Sequence, residues 1–162
     1  MKTNKFGIVS SIISILAIIC TFAFDFIKVT PFTHPLLQTK IGANVTAWNT
    51  FAGGDEVVAR GIQEGSSTGI IILIAVILLA VNIIIQFLKP GKIAAMVNNS
   101  VSIATTAIYL LVGILVCSSE KLNTPIPQIP QLSFNPEMTP YAYITIAFCA
   151  AMFFVPKMVS KK

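Results

Sequence analysis

Apolar residues in this chain fall into four long blocks, and a charged residue marks where each block stops. Residues 6–24 run for 19 positions without a charge between Lys5 and Asp25, and residues 65–88 for 24 between Glu64 and Lys89. Residues 93–119 add 27 between Lys92 and Glu120, and residues 138–156 a further 19 between Glu137 and Lys157. A helix needs roughly 20 apolar residues to cross a hydrocarbon core of about 30 Å. It also satisfies its own backbone hydrogen bonds, as hydrocarbon demands. The pattern therefore predicts an all-α integral membrane protein, a bundle of four transmembrane helices over 6–27, 67–88, 93–117 and 139–157. An outer loop (28–66), an inner turn (89–92) and a second outer loop (118–138) join them. The fourth span is the tightest fit, because its strongly apolar part, 141–155, is 15 residues long.

Charge gives the spans a direction. The termini and the turn Lys89-Pro90-Gly91-Lys92 hold Lys2, Lys5, Lys89, Lys92, Lys157, Lys161 and Lys162 and no acid. The other loops hold Lys28, Lys40, Arg60 and Lys121 against Asp25, Asp55, Glu56, Glu64, Glu120 and Glu137. Short lysine-rich loops stay on the cytoplasmic side. Both termini are thus expected inside (N-in/C-in), in a plasma (inner) membrane, and lysine and isoleucine usage with compact loops fits a bacterial one. Only 10% of the 162 residues are charged, against about 25% in a soluble domain. Mean hydropathy is +0.84 and the pI 9.3. That basicity reads as topology and contact with lipid headgroups, not with nucleic acid. The first block is read as a retained span. Its apolar stretch exceeds that of a signal peptide, no A-x-A-like site follows, and Leu16-Ala17-Ile18-Ile19-Cys20 lacks the small residue of a lipoprotein signal before its cysteine.

Within the spans, polar and small residues recur at three- and four-residue steps, which puts them on single helix faces. Gly7, Ser10, Ser14, Ala17 and Thr21 form one stripe that Asp25 continues; Asn82 and Gln86 share a face; so do Asn98, Ser102, Thr105, Tyr109 and Gly113. Asn82 precedes Lys89 by seven residues and Asn98 follows Lys92 by six, so both lie about 10 Å inside the same boundary. The short turn makes the second and third spans an antiparallel pair. Asn82 or Gln86 is expected to bond Asn98 or Ser102, with Ser10 and Ser14 at similar depth. Ser10, Ser14, Asn82, Gln86, Asn98 and Ser102 thus form an interhelical polar layer. It serves either as glue between helices or as a polar cavity for an ion, substrate or headgroup.

Chemistry is sparse elsewhere. Asp25 is expected to pair with Lys28 at the interface, or to hold a cation at the outer mouth. His34 is the single histidine and lies in a loop without a second metal ligand nearby in sequence. Cys20, Cys117 and Cys149 all sit in or at the end of apolar blocks, which suits packing and supplies no loop disulfide. The 40–51 stretch reads as weakly strand-like, with Gly53-Gly54-Asp55 turning a short hairpin and a helix starting near Val57. Its Trp48 and Phe51 are expected to cap the bundle or contact a partner. Asn44-Val45-Thr46 fits a glycosylation sequon. Pro125, Pro127 and Pro130 give the second outer loop an extended, stiff strap. Pro140 and Pro156 are expected at helix ends, and Tyr141 and Tyr143 at the outer headgroups.

Four spans with a larger first outer loop resemble the claudin-like tetraspan layout. The loop has a tryptophan but neither the paired cysteines nor the tryptophan-rich motif of those proteins, so no family follows from it. No catalytic, cofactor-binding or metal-binding set is read from the sequence, and no enzyme is expected. The favoured reading is a non-enzymatic accessory or scaffold subunit that binds another membrane protein or its own copies. The alternative is a small oligomeric transporter, channel or immunity-type protein working through the polar layer.

Overall fold

The structure is a computed structural model that describes residues 5–29, 32–33, 40–41, 44–48, 70–88, 91–118 and 136–160. Four helices carry it: α1 (Lys5–Ala23), α2 (Ile70–Leu88), α3 (Lys92–Cys117) and α4 (Pro140–Ser160). All four are long and apolar enough to cross a membrane. Each packs chiefly on its neighbours in the ring α1–α2–α3–α4–α1. Ser10 meets Asn98 and Thr21 meets Tyr109, a step of 11 residues in both α1 and α3, so these diagonal helices run parallel. Gln86 reaches Ala94, whereas Asn98 and Ser102 reach Met152 and Cys149, so α2 and α4 run the other way.

The bundle is inverted relative to a water-soluble one. Its axis is small and polar: Ser10, Ser14, Ala17, Thr21, Ala75, Asn82, Asn98, Thr105 and Cys149 are all fully buried. Its exterior is oily, with Ile8, Ile12, Ile15 and Ile19 exposed on α1 and Ile70, Ile74, Ile77, Val81 and Ile84 on α2. Small residues on the axis let helices approach closely where the solvent is as apolar as leucine.

Strands close one end. They are β1 (Asp25–Val29), β2 (Phe32–Thr33), β3 (Lys40–Ile41), β4 (Asn44–Thr46) and β5 (Pro136–Met138). β1 lies between β4 and β5 in an antiparallel three-stranded sheet, and β2 pairs with β3. Asp25 pairs with Thr46 but Ile27 with Val45, so β1 carries a bulge at Phe26. A bulge breaks the two-residue alternation of faces, which is how successive Phe26 and Ile27 are both buried. Trp48 N–H caps the Thr21 carbonyl (3.1 Å), and Thr139 N–H bonds the Phe26 carbonyl (3.1 Å), so the sheet is stitched to the ends of α1 and α4.

Two expectations need correction. The first span does not continue as helix to residue 27: α1 ends at Ala23 and Asp25–Val29 is a strand. The aromatic and β-branched run Phe26-Ile27-Lys28-Val29 favours extended backbone, and its ladder partners lie 16–18 residues away in β4 and 107–111 away in β5. The strand-like 40–51 stretch contains β3 and β4, which pair with β2 and β1, and the Gly53-Gly54-Asp55 turn of the expected hairpin lies outside the described residues. Pro156 lies inside α4, which runs on to Ser160. The helix start near Val57, His34 and the proline strap at 125–130 lie outside the described residues.

Candidate functional site

Five of the six residues of the expected polar layer, Ser10, Ser14, Asn82, Gln86 and Asn98, are linked to one another by hydrogen bonds, and Ser102 lies one turn further along α3. α1 contributes Ser10 and Ser14, one turn apart and both fully buried. Asn82, at the centre, donates from Nδ2 to Ser14 Oγ (3.0 Å), Ser10 Oγ (3.1 Å) and Asn98 Oδ1 (3.3 Å). Ser10 Oγ donates to Asn98 Oδ1 at 2.5 Å. Ser14 Oγ donates back to the Ser10 carbonyl at 3.0 Å. Gln86 Nε2 bonds Asn82 Oδ1 (3.1 Å) and the Ala94 carbonyl (3.0 Å), which ties α2 to the first turn of α3.

The fourth helix joins through its backbone. Asn98 Nδ2 donates to the Met152 carbonyl at 2.6 Å, and Ser102 Oγ to the Cys149 carbonyl at 2.5 Å. In a regular helix the Met152 carbonyl would receive the N–H of residue 156. Pro156 has no N–H. The proline frees an acceptor, and Asn98 fills it. Sequence reading placed Asn98 and Ser102 on the correct face but not these carbonyl partners. The available signal was a proline four residues past Met152, on a helix facing an asparagine.

A second pair lies nearer the sheet. Tyr109, the largest fully buried side chain, shares a 2.5 Å hydrogen bond between its hydroxyl and Thr21 Oγ1. Its ring lies 5.9 Å from that of Phe26, which closes the axis beneath β1. Sequence analysis had put both residues on inward faces without joining them.

Among the described residues no charged side chain enters either layer, and Asn82, Asn98, Ser10 and Ser14 are 0% exposed. Ser11, also buried, has a hydroxyl without a hydrogen-bond partner, so the network does not extend around α1.

The remaining candidates lie at the sheet end. Asp25 opens β1, and its carbonyl accepts the Thr139 hydroxyl. Strand geometry removes the one-turn relation to Lys28 on which their expected pairing rested. Trp48 is half-buried, with its ring 4.8 Å from Phe22. Phe24 stacks on Tyr141 at 5.1 Å. Phe51 lies outside the described residues. No family model, curated protein or solved structure matches this chain. Its geometry is therefore the whole basis for a functional reading. Among the described residues, no three His, Cys, Asp or Glu side chains cluster as a metal site.

Proposed function

We propose that the chain is a four-span protein of the plasma membrane, with both termini cytoplasmic, acting as a non-enzymatic accessory or scaffold subunit of a membrane complex. The observation that carries this reading is the closed polar layer. The side chains that a transport route would use are bonded to one another and to the α4 backbone, with contributions from all four helices. Such bonds are typically worth about 0.6 kcal/mol per pair in a membrane, and up to ~2. Several together favour a rigid body over a gated one.

The surface supports lipid as the surroundings. Contiguous exposed isoleucine on α1 and α2 exceeds what water-facing proteins normally tolerate. Phe22, Phe24, Trp48, Tyr141 and Tyr143 gather at the sheet end, as aromatic belts do at headgroups. Lys5, Lys92 and Lys157 mark the opposite end, the cytoplasmic one by the charge rule. The partner surface then comprises the spans and the sheet end.

Mild detergent extraction followed by intact-complex mass measurement tests the role. A stable assembly with a different membrane protein is expected. A symmetric homo-oligomer that conducts ions or solute in vesicles would overturn it. A reporter fused after Lys162 tests the direction: it is expected to be protected from externally added protease in intact cells.

A further inference from the structure

The outer surface of α3 differs from those of α1 and α2. From Ile8 to Phe22 and from Ile70 to Leu88, every exposed residue is Ile, Leu, Val or Phe. On α3, Ser100 is exposed, and Asn99 beside it is half-buried, with its Oδ1 enclosed and without a hydrogen-bond partner. Asn99 follows Asn98, so it too lies about 10 Å inside the lysine-rich boundary, but one residue of helix turns it about 100° away from the bundle axis. Water does not reach an amide at that depth in hydrocarbon, and leaving its polar atoms unbonded is costly. Asn99 also belongs to a stripe. Met96, Asn99, Ile103, Thr106 and Leu110 recur at steps of three and four residues, the 3.5-residue period of helices that pair along a left-handed seam. Its upper part runs along an open groove of about 390 Å³, walled on the other side by Ala150, Phe153 and Phe154 of α4.

We infer that this stripe and groove form the contact between two copies of the chain, with the two Asn99 amides bonded to each other across a two-fold axis normal to the membrane. The inference rests on the membrane-spanning reading above and goes beyond the accessory role. The amide itself selects a second copy as the occupant. A primary amide both donates and accepts, so it is its own complement, and a half-turn about Cβ–Cγ brings either end outward. All copies insert in one direction. A two-fold axis along the membrane normal therefore sets α3 parallel to its mate, with Asn99 opposite Asn99 at one depth. A different protein would need a polar group placed to match that depth, whereas a second copy has it by symmetry. A single asparagine within such a seam also fixes register and favours the pair. The outer faces of α1 and α2 and the sheet end stay uncovered for the different membrane protein proposed above.

The test labels the full chain at its C-terminus with donor or acceptor dye, places it in vesicles of phosphatidylglycerol and phosphatidylcholine, and follows energy transfer as lipid dilutes the protein. A reversible dimer is expected. Asn99→Leu should raise its dissociation constant about tenfold, and Asn99→Gln, which keeps the amide, should stay closer to the parent than to Asn99→Leu. Because Asn99 Oδ1 bonds nothing within the chain, Asn99→Leu should leave the dodecyl sulfate unfolding midpoint of the monomer unchanged. Disulfide linking in cell membranes gives a second readout. With the half-buried Cys117 replaced by serine, the remaining cysteines are buried. In that background Ile103→Cys, on the stripe, should link two copies under mild oxidant, and Ile15→Cys, on the outer face of α1, should not. A monomer at every protein-to-lipid ratio, a dimer that Asn99→Leu leaves unweakened, or linking through Ile15→Cys in preference to Ile103→Cys would each overturn the inference. So would Ile103→Cys joined only to a different membrane protein, which would give the face to that partner. Alkaline extraction of the cell membranes tests the spanning reading separately, because a protein released from them fails that reading whatever its oligomeric state.

Discussion

Asn98 Nδ2 lies 2.6 Å from the carbonyl oxygen of Met152, an acceptor that Pro156 leaves without its helical donor. In water such a carbonyl would be hydrated. In hydrocarbon an unmet carbonyl costs several kcal/mol, and neighbouring side chains supply the usual remedy for a proline within a span. Here the remedy also fastens α3 to α4, and the same asparagine accepts from Ser10 and Asn82. One residue therefore joins all the helices.

This inequality predicts a ranking. Asn98→Leu deprives Ser10 and Asn82 of an acceptor and Met152 of a donor, and should destabilise the bundle by about 2–4 kcal/mol. Asn82→Leu should cost less, about 1–2 kcal/mol, because Ser10, Ser14 and Gln86 each keep another partner. Unfolding of the purified protein in a titration from mild detergent to dodecyl sulfate measures both.

Thr139 should matter out of proportion to its size. Its hydroxyl accepts the Ala142 N–H at 3.3 Å as the cap of α4 and donates to the Asp25 carbonyl on β1. Thr139→Val preserves shape and removes both bonds. The expected loss is about 1–2 kcal/mol, with amide exchange accelerated first in β1 and the opening turn of α4.

Gly91 sets the reversal between α2 and α3. Its φ of +116° is strained for any residue with a Cβ, even though a Cβ there would meet nothing within 4 Å. The penalty for Gly91→Ala is therefore conformational rather than steric, about 1–2 kcal/mol. Thermal unfolding in detergent should register it without any change in helix content.

The four helices were legible because charges bracket apolar runs of the length a bilayer requires. The polar layer was legible because Asn82 and Gln86, and Asn98 and Ser102, obey helical spacing, and Asn82 and Asn98 lie at matched distances from one tight turn. The sheet was not. β1 needs partners from residues 44–46 and 136–138, and no local pattern announces pairing across such separations. The end of α1 was misplaced for the same reason, since apolar Phe26 and Ile27 suit a span and a buried strand equally. Pro156 is expected at a helix end because a proline within a span breaks the hydrogen-bond ladder. Its tolerance comes from Asn98 on another helix, which sequence spacing within α4 does not contain. Gly113 is a similar case. A Cβ there would lie 2.6 Å from Met138 Sδ, so its smallness serves a side chain from β5 rather than a helix neighbour.

The central claim is that polar groups within the spans are engaged in holding the helices to one another. A double-mutant cycle on Asn98→Leu and Pro156→Ala tests it most directly, because alanine restores an N–H that can reach the Met152 carbonyl from within α4. Measured by the same dodecyl sulfate titration, Asn98→Leu should cost about 1 kcal/mol less in the Pro156→Ala background than in the parent. Additive effects, within about 0.3–0.5 kcal/mol, would contradict the claim.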